Sequence, residues 1–258
     1  MAKVDPRAIV HESALLADDV EVGPFTIIGE QVEIGAGTVI GPHNVLKGPT
    51  RIGENNRILQ FCSIGEDTPD LKYAGEDTWL IIGDNNTIRE GVTLHRGTVQ
   101  DRAETRIGNH NLIMAYAHVG HDCILHDHTI LVNNAALAGH VEVGDWAIIS
   151  GFTGIHQYCN VGAHSFIGAY SWVTQDLPAY VLATGNPAVP RTINAEGLKR
   201  RGFSSAQLRC LQKAYKTIYR RGLDLDSALQ ELRDDTDNHE LLQPLIQSIE
   251  SSQRGILR

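Results

Sequence analysis

Aliphatic side chains recur along this chain at a spacing of six. The series runs Val10, Leu16, Val22, Ile28, Ile34, Ile40, Leu46, Ile52, Ile58 and Ile64 and resumes at Ile82, Ile88 and Leu94. It then slips by one residue and continues through Ile107, Ile113, Val119, Leu125, Leu131, Leu137, Val143, Ile149, Ile155, Val161, Ile167 and Val173, with glycine often next, as at Ile28-Gly29 and Val143-Gly144. Neither the period of about 3.6 of an α-helix nor the alternation of a half-buried strand produces this spacing. Three hexads make an 18-residue triangular coil: each aliphatic residue points inward from one side, a turn follows, and successive coils stack as parallel strands about 4.8 Å apart. The pattern predicts a parallel β-solenoid over residues 1–190.

Two polar stretches interrupt the series, near 65–79 and 96–106. Neither can supply inward aliphatics, and loops extruded from a rigid solenoid are where function concentrates. After Val173 the repeat gives way to Pro178, Pro187 and Pro190, and helical signals begin. Ser204-Ser205-Ala206-Gln207 reads as a capping box ahead of Leu208, Leu211, Tyr215 and Ile218 at helical spacing, with Gly222 as the stop. Two more amphipathic segments, Leu225–Leu232 and Leu241–Ile249, complete a helical cap over 191–258, so the fold class is mainly β with an α-helical C-terminal end.

The 18-residue coil yields a stacking rule that points to chemistry. His121 lies 18 before Gly139 and 36 before Gln157, which sets an imidazole one coil from a glycine main chain. A base beside a backbone N–H suits acyl transfer, the base taking a hydroxyl proton while the N–H stabilises the oxyanion. His118 adds a second imidazole, and His140, His156 and His164 follow on later coils. Two rival chemistries stand beside this one. His121, His126 and His128 resemble a zinc set, but Ala103 and Gly139, the positions 18 before and after His121, add no third ligand. Cys123 beside a histidine is a conceivable nucleophile, although alternation along a strand turns it inward as filler. Cys62, Cys123, Cys159 and Cys210 show no CxxC pairing and read as reduced thiols.

Charge changes the picture once it is resolved along the chain. The net −9 divides into −12 over residues 1–190, +8 over 191–221 and −5 over 222–258. The acidic total excludes a nucleic-acid binder that works by phosphate neutralisation, yet one short basic block expects an anionic partner. The 6% aromatic content fits a narrow interior filled by Val, Ile and Leu. No apolar run approaches the roughly 18 residues of a membrane span and the N-terminus lacks a leader-like core, so a soluble, cytoplasmic protein is expected.

Several segments carry a resemblance. Asp70-Leu71-Lys72-Tyr73, the run from Ile88 to Thr98 containing His95-Arg96-Gly97-Thr98, His118-Val119-Gly120-His121-Asp122, Leu137-Ala138-Gly139-His140 and Glu196-Gly197-Leu198-Lys199-Arg200-Arg201-Gly202-Phe203-Ser204 are similar to the acyl-carrier-protein:UDP-N-acetylglucosamine O-acyltransferases, which start lipid A synthesis. The likeness spans essentially the whole chain. It implies a homotrimer of left-handed β-helices with active sites between subunits. UDP-N-acetylglucosamine and a 3-hydroxyacyl chain on acyl carrier protein would be the substrates, with no cofactor, no metal and no covalent acyl-enzyme.

By that resemblance His121 is the general base, Asp122 supports it, and the Gly139 N–H forms the oxyanion hole. It also implies sugar-nucleotide contacts from Asp70 and Lys72, contacts to sugar, phosphate or acyl hydroxyl from His118, His140, His156 and Gln157, and uridine and diphosphate contacts from Asn194, Glu196, Arg200 and Arg201. Ala169 stands where glycine in some members leaves room for a longer acyl chain, so a medium chain is expected. Pro69 and Pro187 replace polar residues of some members. Arg209, Lys213, Lys216 and Arg220, at steps of 4, 3 and 4, form a cationic stripe that would steer the acidic carrier protein. The alternatives are the related N-acyltransferase that acts later, which usually has an N-terminal domain, a CoA-dependent acetyltransferase on the same repeat, and a non-catalytic β-helix, which would show flat threonine arrays.

Overall fold

A computed structural model describes residues Met1–Arg258. Three sheets of 11, 9 and 8 strands, here called faces 1, 2 and 3 and parallel except for the last strand of face 1, close a left-handed triangular prism. The repeat explains it directly: of the twenty-five hexad aliphatics all are buried except Val10 and Leu16, at the open N-terminal end. Most strands are two residues long and pair with a strand 18 residues away, as in Ile9↔Ile27 and Leu125↔Val143. Tall columns of Val, Ile and Leu thus fill the interior, each fully buried side chain contributing roughly 1.5–3 kcal/mol.

The corners need a left-handed backbone residue on nearly every coil, and residues with side chains supply most of them, among them Asp122 (φ 58), His140 (φ 63) and Tyr158 (φ 64). That conformation costs on the order of 1 kcal/mol outside glycine, and it projects successive corner side chains outward in parallel, so that they stack. Asparagine ladders satisfy the corner backbone from inside. Asn56 Oδ1 accepts the Asn86 N–H at 2.9 Å, and Asn86 Oδ1 accepts that of Asn111 at 2.8 Å.

The two interruptions are insertions at one corner. Pairing jumps from 18 to 30 residues at Ile52↔Ile82 and to 25 at Ile82↔Ile107, which corresponds to 12 and 7 added residues. Strands resume at Trp79 and Glu104, so the loops are 67–78 and 96–103, tighter than the sequence suggests. Both leave face 2 and rejoin on face 3.

Beyond the last hexad aliphatic, Val173, the strands continue. Val181–Thr184 still pairs in parallel on face 1, and Val189–Ile193 returns antiparallel to it before the helices start. The helices are α1 (Ala195–Arg200), α2 (Ser205–Tyr219), α3 (Leu225–Arg233) and α4 (His239–Glu250). Glu196-Gly197-Leu198-Lys199-Arg200, not foreseen as helical, forms α1, capped by Asn194. The capping box of α2 is present in both directions, and Gly222 follows its end at φ +70. Tyr180 Oη donates to the Leu241 carbonyl at 3.2 Å and the Ala179 N–H to Ser248 Oγ at 3.0 Å, which seats α4 over the end of the prism. No helix is long and apolar enough to cross a membrane.

Candidate active site

The corner between faces 2 and 3 collects the histidines. Its turns are Gly120-His121-Asp122, Ala138-Gly139-His140 and His156-Gln157-Tyr158, one above another, and both insertions emerge beside them. His121 Nδ1 lies 2.8 Å from Asp122 Oδ2, with the carboxylate fully buried and the imidazole 15% exposed. Burial acts to raise the Asp122 pKa, but hydrogen bonds from His121 and Thr98 outweigh it and hold the group below its ordinary value. An ionised carboxylate only accepts, so His121 donates from Nδ1 and keeps the Nε2 lone pair free.

Gly139 packs directly against that ring. A Cβ there would stand 2.5 Å from His121 Cε1 and Nε2, so glycine is required for the close approach. The Gly139 N–H donates to no group of the protein. The ring of His140 meets His121 edge-on at 4.9 Å between centroids and stacks on Tyr158 at 4.2 Å, while its Nδ1 lies 2.8 Å from Asp101 Oδ2. His118 sits one strand in, its Nδ1 2.7 Å from Thr93 Oγ1, and burial near His95 and His121 pushes its pKa down to about 4. His156 and Gln157 share the column, the first with Nδ1 3.1 Å from the Gln157 carbonyl. A groove of about 920 Å³ leads from here along face 3 to α4, lined by Asp101, Asp122, His140 and Tyr158 at one end and Ser251 and Arg254 at the other.

Asp70 and Lys72 lie on loop 67–78 at this same corner, with the Lys72 N–H donating to Asp70 Oδ1 at 2.9 Å. Sequence reasoning missed what anchors that loop. Arg96, 5% exposed, donates to the Gly48 and Gly65 carbonyls, to Asp67 and, at 2.8 Å, to Tyr73 Oη. The only signal was its place in the His95-Arg96-Gly97-Thr98 run; an irregular insertion carries no period from which its contacts follow.

Other expectations separate in space. Asn194 Nδ2 donates to the His164 carbonyl at 2.9 Å, and Arg201 donates to the Trp146 carbonyl at 2.8 Å and lies 3.2 Å from His164 Nδ1. These residues, with Glu196 and Arg200 on α1, stand at the corner between faces 3 and 1. One hexad, on the order of 15 Å, divides them from His121. His164 therefore does not belong to the histidine wall; it stacks between Trp146 and Tyr180. His128 is in the same ladder, against Trp146 at 4.0 Å, and His126 pairs with Glu142 at 2.8 Å, so the zinc set His121, His126 and His128 never assembles. Ala169 is exposed at the third corner, between faces 1 and 2. Below His121 two registers meet: 25 residues on face 2, at Thr93↔His118, and 18 on face 3, at Arg106↔Ile124, with the second insertion between them. Cys123 is wholly buried, donates to the Ala138 carbonyl, and burial pushes its thiol up to about 12, which leaves it space-filling. Arg209, Lys213, Lys216 and Arg220 are all exposed along α2, opposite buried Leu211, Tyr215 and Ile218.

Comparison with known proteins matches this arrangement. The family model for UDP-N-acetylglucosamine O-acyltransferase, domain 2, covers residues 176–257, and the bacterial transferase hexapeptide model covers 13–48 and 104–139. The acyl-[acyl-carrier-protein]--UDP-N-acetylglucosamine O-acyltransferase of Pseudomonas putida is 62% identical over all 258 residues, the full length of both chains. The chain belongs to the UDP-N-acetylglucosamine O-acyltransferase family. Among solved members, LpxA of Acinetobacter baumannii superposes with a TM-score of 0.96 at 50% identity, covering 99% of each chain. UDP-N-acetylglucosamine O-acyltransferase of Moraxella catarrhalis gives 0.95 at 45%, again covering 99% of each. Full-length agreement with this O-acyltransferase family sets aside the N-acyltransferase, acetyltransferase and non-catalytic readings.

Proposed function

We propose that this chain transfers a 3-hydroxyacyl group from acyl carrier protein to the 3-hydroxyl of UDP-N-acetylglucosamine, the first step of lipid A biosynthesis. The observation that carries the chemistry is the free Nε2 of His121, backed by buried ionised Asp122 and set against Gly139. His121 takes the proton of the sugar hydroxyl, the oxygen attacks the thioester carbonyl, and the Gly139 N–H receives the developing oxyanion. Collapse expels the carrier thiolate, which recovers the proton from His121, and no acyl-enzyme forms. His118, kept neutral by burial, offers hydrogen bonds without charge. The test is transfer to UDP-N-acetylglucosamine from a panel of 3-hydroxyacyl carrier proteins: a medium chain is expected from the family resemblance at Ala169, and absence of acylated nucleotide with every chain refutes the reading.

The functional assembly is a homotrimer. Support comes from the division of the residues: the base lies at one corner and Asn194, Glu196, Arg200 and Arg201 at another, so one chain alone does not gather them. Tyr116, Phe152, Tyr170 and Trp172 expose 42–69% of their surfaces near the third corner, apolar area suited to burial between subunits. Arg96 holds loop 67–78 in place, so Arg96→Met raises KM for the nucleotide about tenfold through lost positioning, with KM for the carrier protein unchanged in steady-state assays.

The α2 stripe fits the acidic carrier protein. Reversing two of its charges, Lys213→Glu with Lys216→Glu, raises KM for the acyl carrier protein about tenfold at low salt and leaves KM for the nucleotide alone. Equal effects on both would sink the docking assignment.

A further inference from the structure

The insertion 97–103 does more than break the repeat. Gly97 passes so close to the next strand that a Cβ would lie 2.3 Å from the Glu104 nitrogen, and this pins the loop against the prism. From there Thr98, 2% exposed, donates its N–H to Asp122 Oδ1 at 2.9 Å and its hydroxyl to Asp122 Oδ2 at 2.7 Å. That second oxygen is the one facing His121 Nδ1 at 2.8 Å, and it lies 3.9 Å from His140 Nδ1. Three residues on, Asp101 closes on His140 Nδ1 at 2.8 Å. One short loop therefore reaches both imidazoles of the site.

We propose that this insertion is a brace that positions the two histidines, Thr98 acting through Asp122 on His121 and Asp101 acting directly on His140. The assignment rests on His121 being the base. Thr98 fixes the plane of the carboxylate with two hydrogen bonds, which fixes the ring that the carboxylate holds. Its hydroxyl also draws charge from the oxygen that faces His121, so losing it makes Asp122 a better partner for an imidazolium. Asp101 settles which nitrogen of His140 carries the proton, leaving the other to accept a hydrogen bond from a ligand. The groups facing His121 are Asp122, His95, His118 and His140, with Glu66 behind His95 and Asp101 behind His140.

The test compares wild type with Thr98→Val, Thr98→Ser, Asp101→Asn and His121→Ala, using pH profiles of kcat/KM with UDP-N-acetylglucosamine and a 3-hydroxyacyl carrier protein, and thermal melting as a fold check. Thr98→Val lowers kcat at least about tenfold and moves the acid limb up by about half a pH unit. Thr98→Ser, which restores the hydroxyl, returns both to near wild type. Asp101→Asn lowers kcat by about tenfold without raising the limb. Wild-type kcat and an unmoved limb in Thr98→Val, or failure of Thr98→Ser to rescue, overturns the Thr98 arm; unchanged kcat in Asp101→Asn overturns the other. Should Thr98→Val fail to fold, Thr98→Ala takes its place under the same criteria. A fully active His121→Ala would instead refute the base assignment, and wild type with no transfer would refute the reaction.

Discussion

Replacing His121 with alanine lowers kcat by about 10³-fold, with KM for both substrates and the melting temperature close to wild type. The size follows from the position of the ring. Its Nε2 is the free end of a hydrogen-bonded pair whose other end is a fully buried carboxylate, so no neighbour can take over proton removal. His140, 4.9 Å away between ring centres, edge-on to His121 and stacked on Tyr158, holds its free nitrogen at a different point of the corner. His118 is held neutral with its Nδ1 against Thr93. The melting temperature stays because a partly exposed corner imidazole contributes little to the aliphatic core. Steady-state kinetics on the purified variant check this, and a rate within tenfold of wild type would remove His121 from the role of base.

A single methyl group at Gly139 has an effect nearly as large. Gly139→Ala lowers kcat about 10²-fold, because the new Cβ would stand 2.5 Å from the His121 ring and the ring must swing away from Asp122 to admit it. The backbone at 139 is not left-handed, so alanine strains no torsion there, and the collision is with a side chain that can move. Loss of rate with an unchanged circular dichroism spectrum and melting temperature is the expected signature. Loss of folding would mean that Gly139 serves the coil rather than the chemistry.

Much of this was legible in the spacing. A six-residue period admits little besides a three-sided coil, and counting by 18 from His121 finds Gly139 and Gln157 on one corner, where they are. The same count separates His164 from that column, since 43 residues is not a whole number of coils, and the structure sets it in the Trp146 and Tyr180 ladder. Counting fails at the insertions. Seven extra residues make the register 25 at Thr93↔His118 while Arg106↔Ile124 keeps 18, so what lies below His121 is set by the insertion and not by the count. The contacts of Arg96, Thr98 and Asp101 arise from irregular backbone, for which no period exists. Nor could spacing say that the histidine corner and α1 would stand at different corners of one chain, because the fold reverses direction at Val189–Ile193 before α1 begins.

Direct transfer is tested by a single-turnover experiment in which enzyme in excess over 3-hydroxyacyl carrier protein is quenched over time, with the masses of nucleotide and enzyme read together. With UDP-N-acetylglucosamine the acyl group appears on the nucleotide as fast as it leaves the carrier, the protein mass never changes, and the analogue lacking the 3-hydroxyl gains nothing. An acylated protein at early times, or acylation of the 3-deoxy analogue, would contradict direct attack by a hydroxyl that His121 has deprotonated.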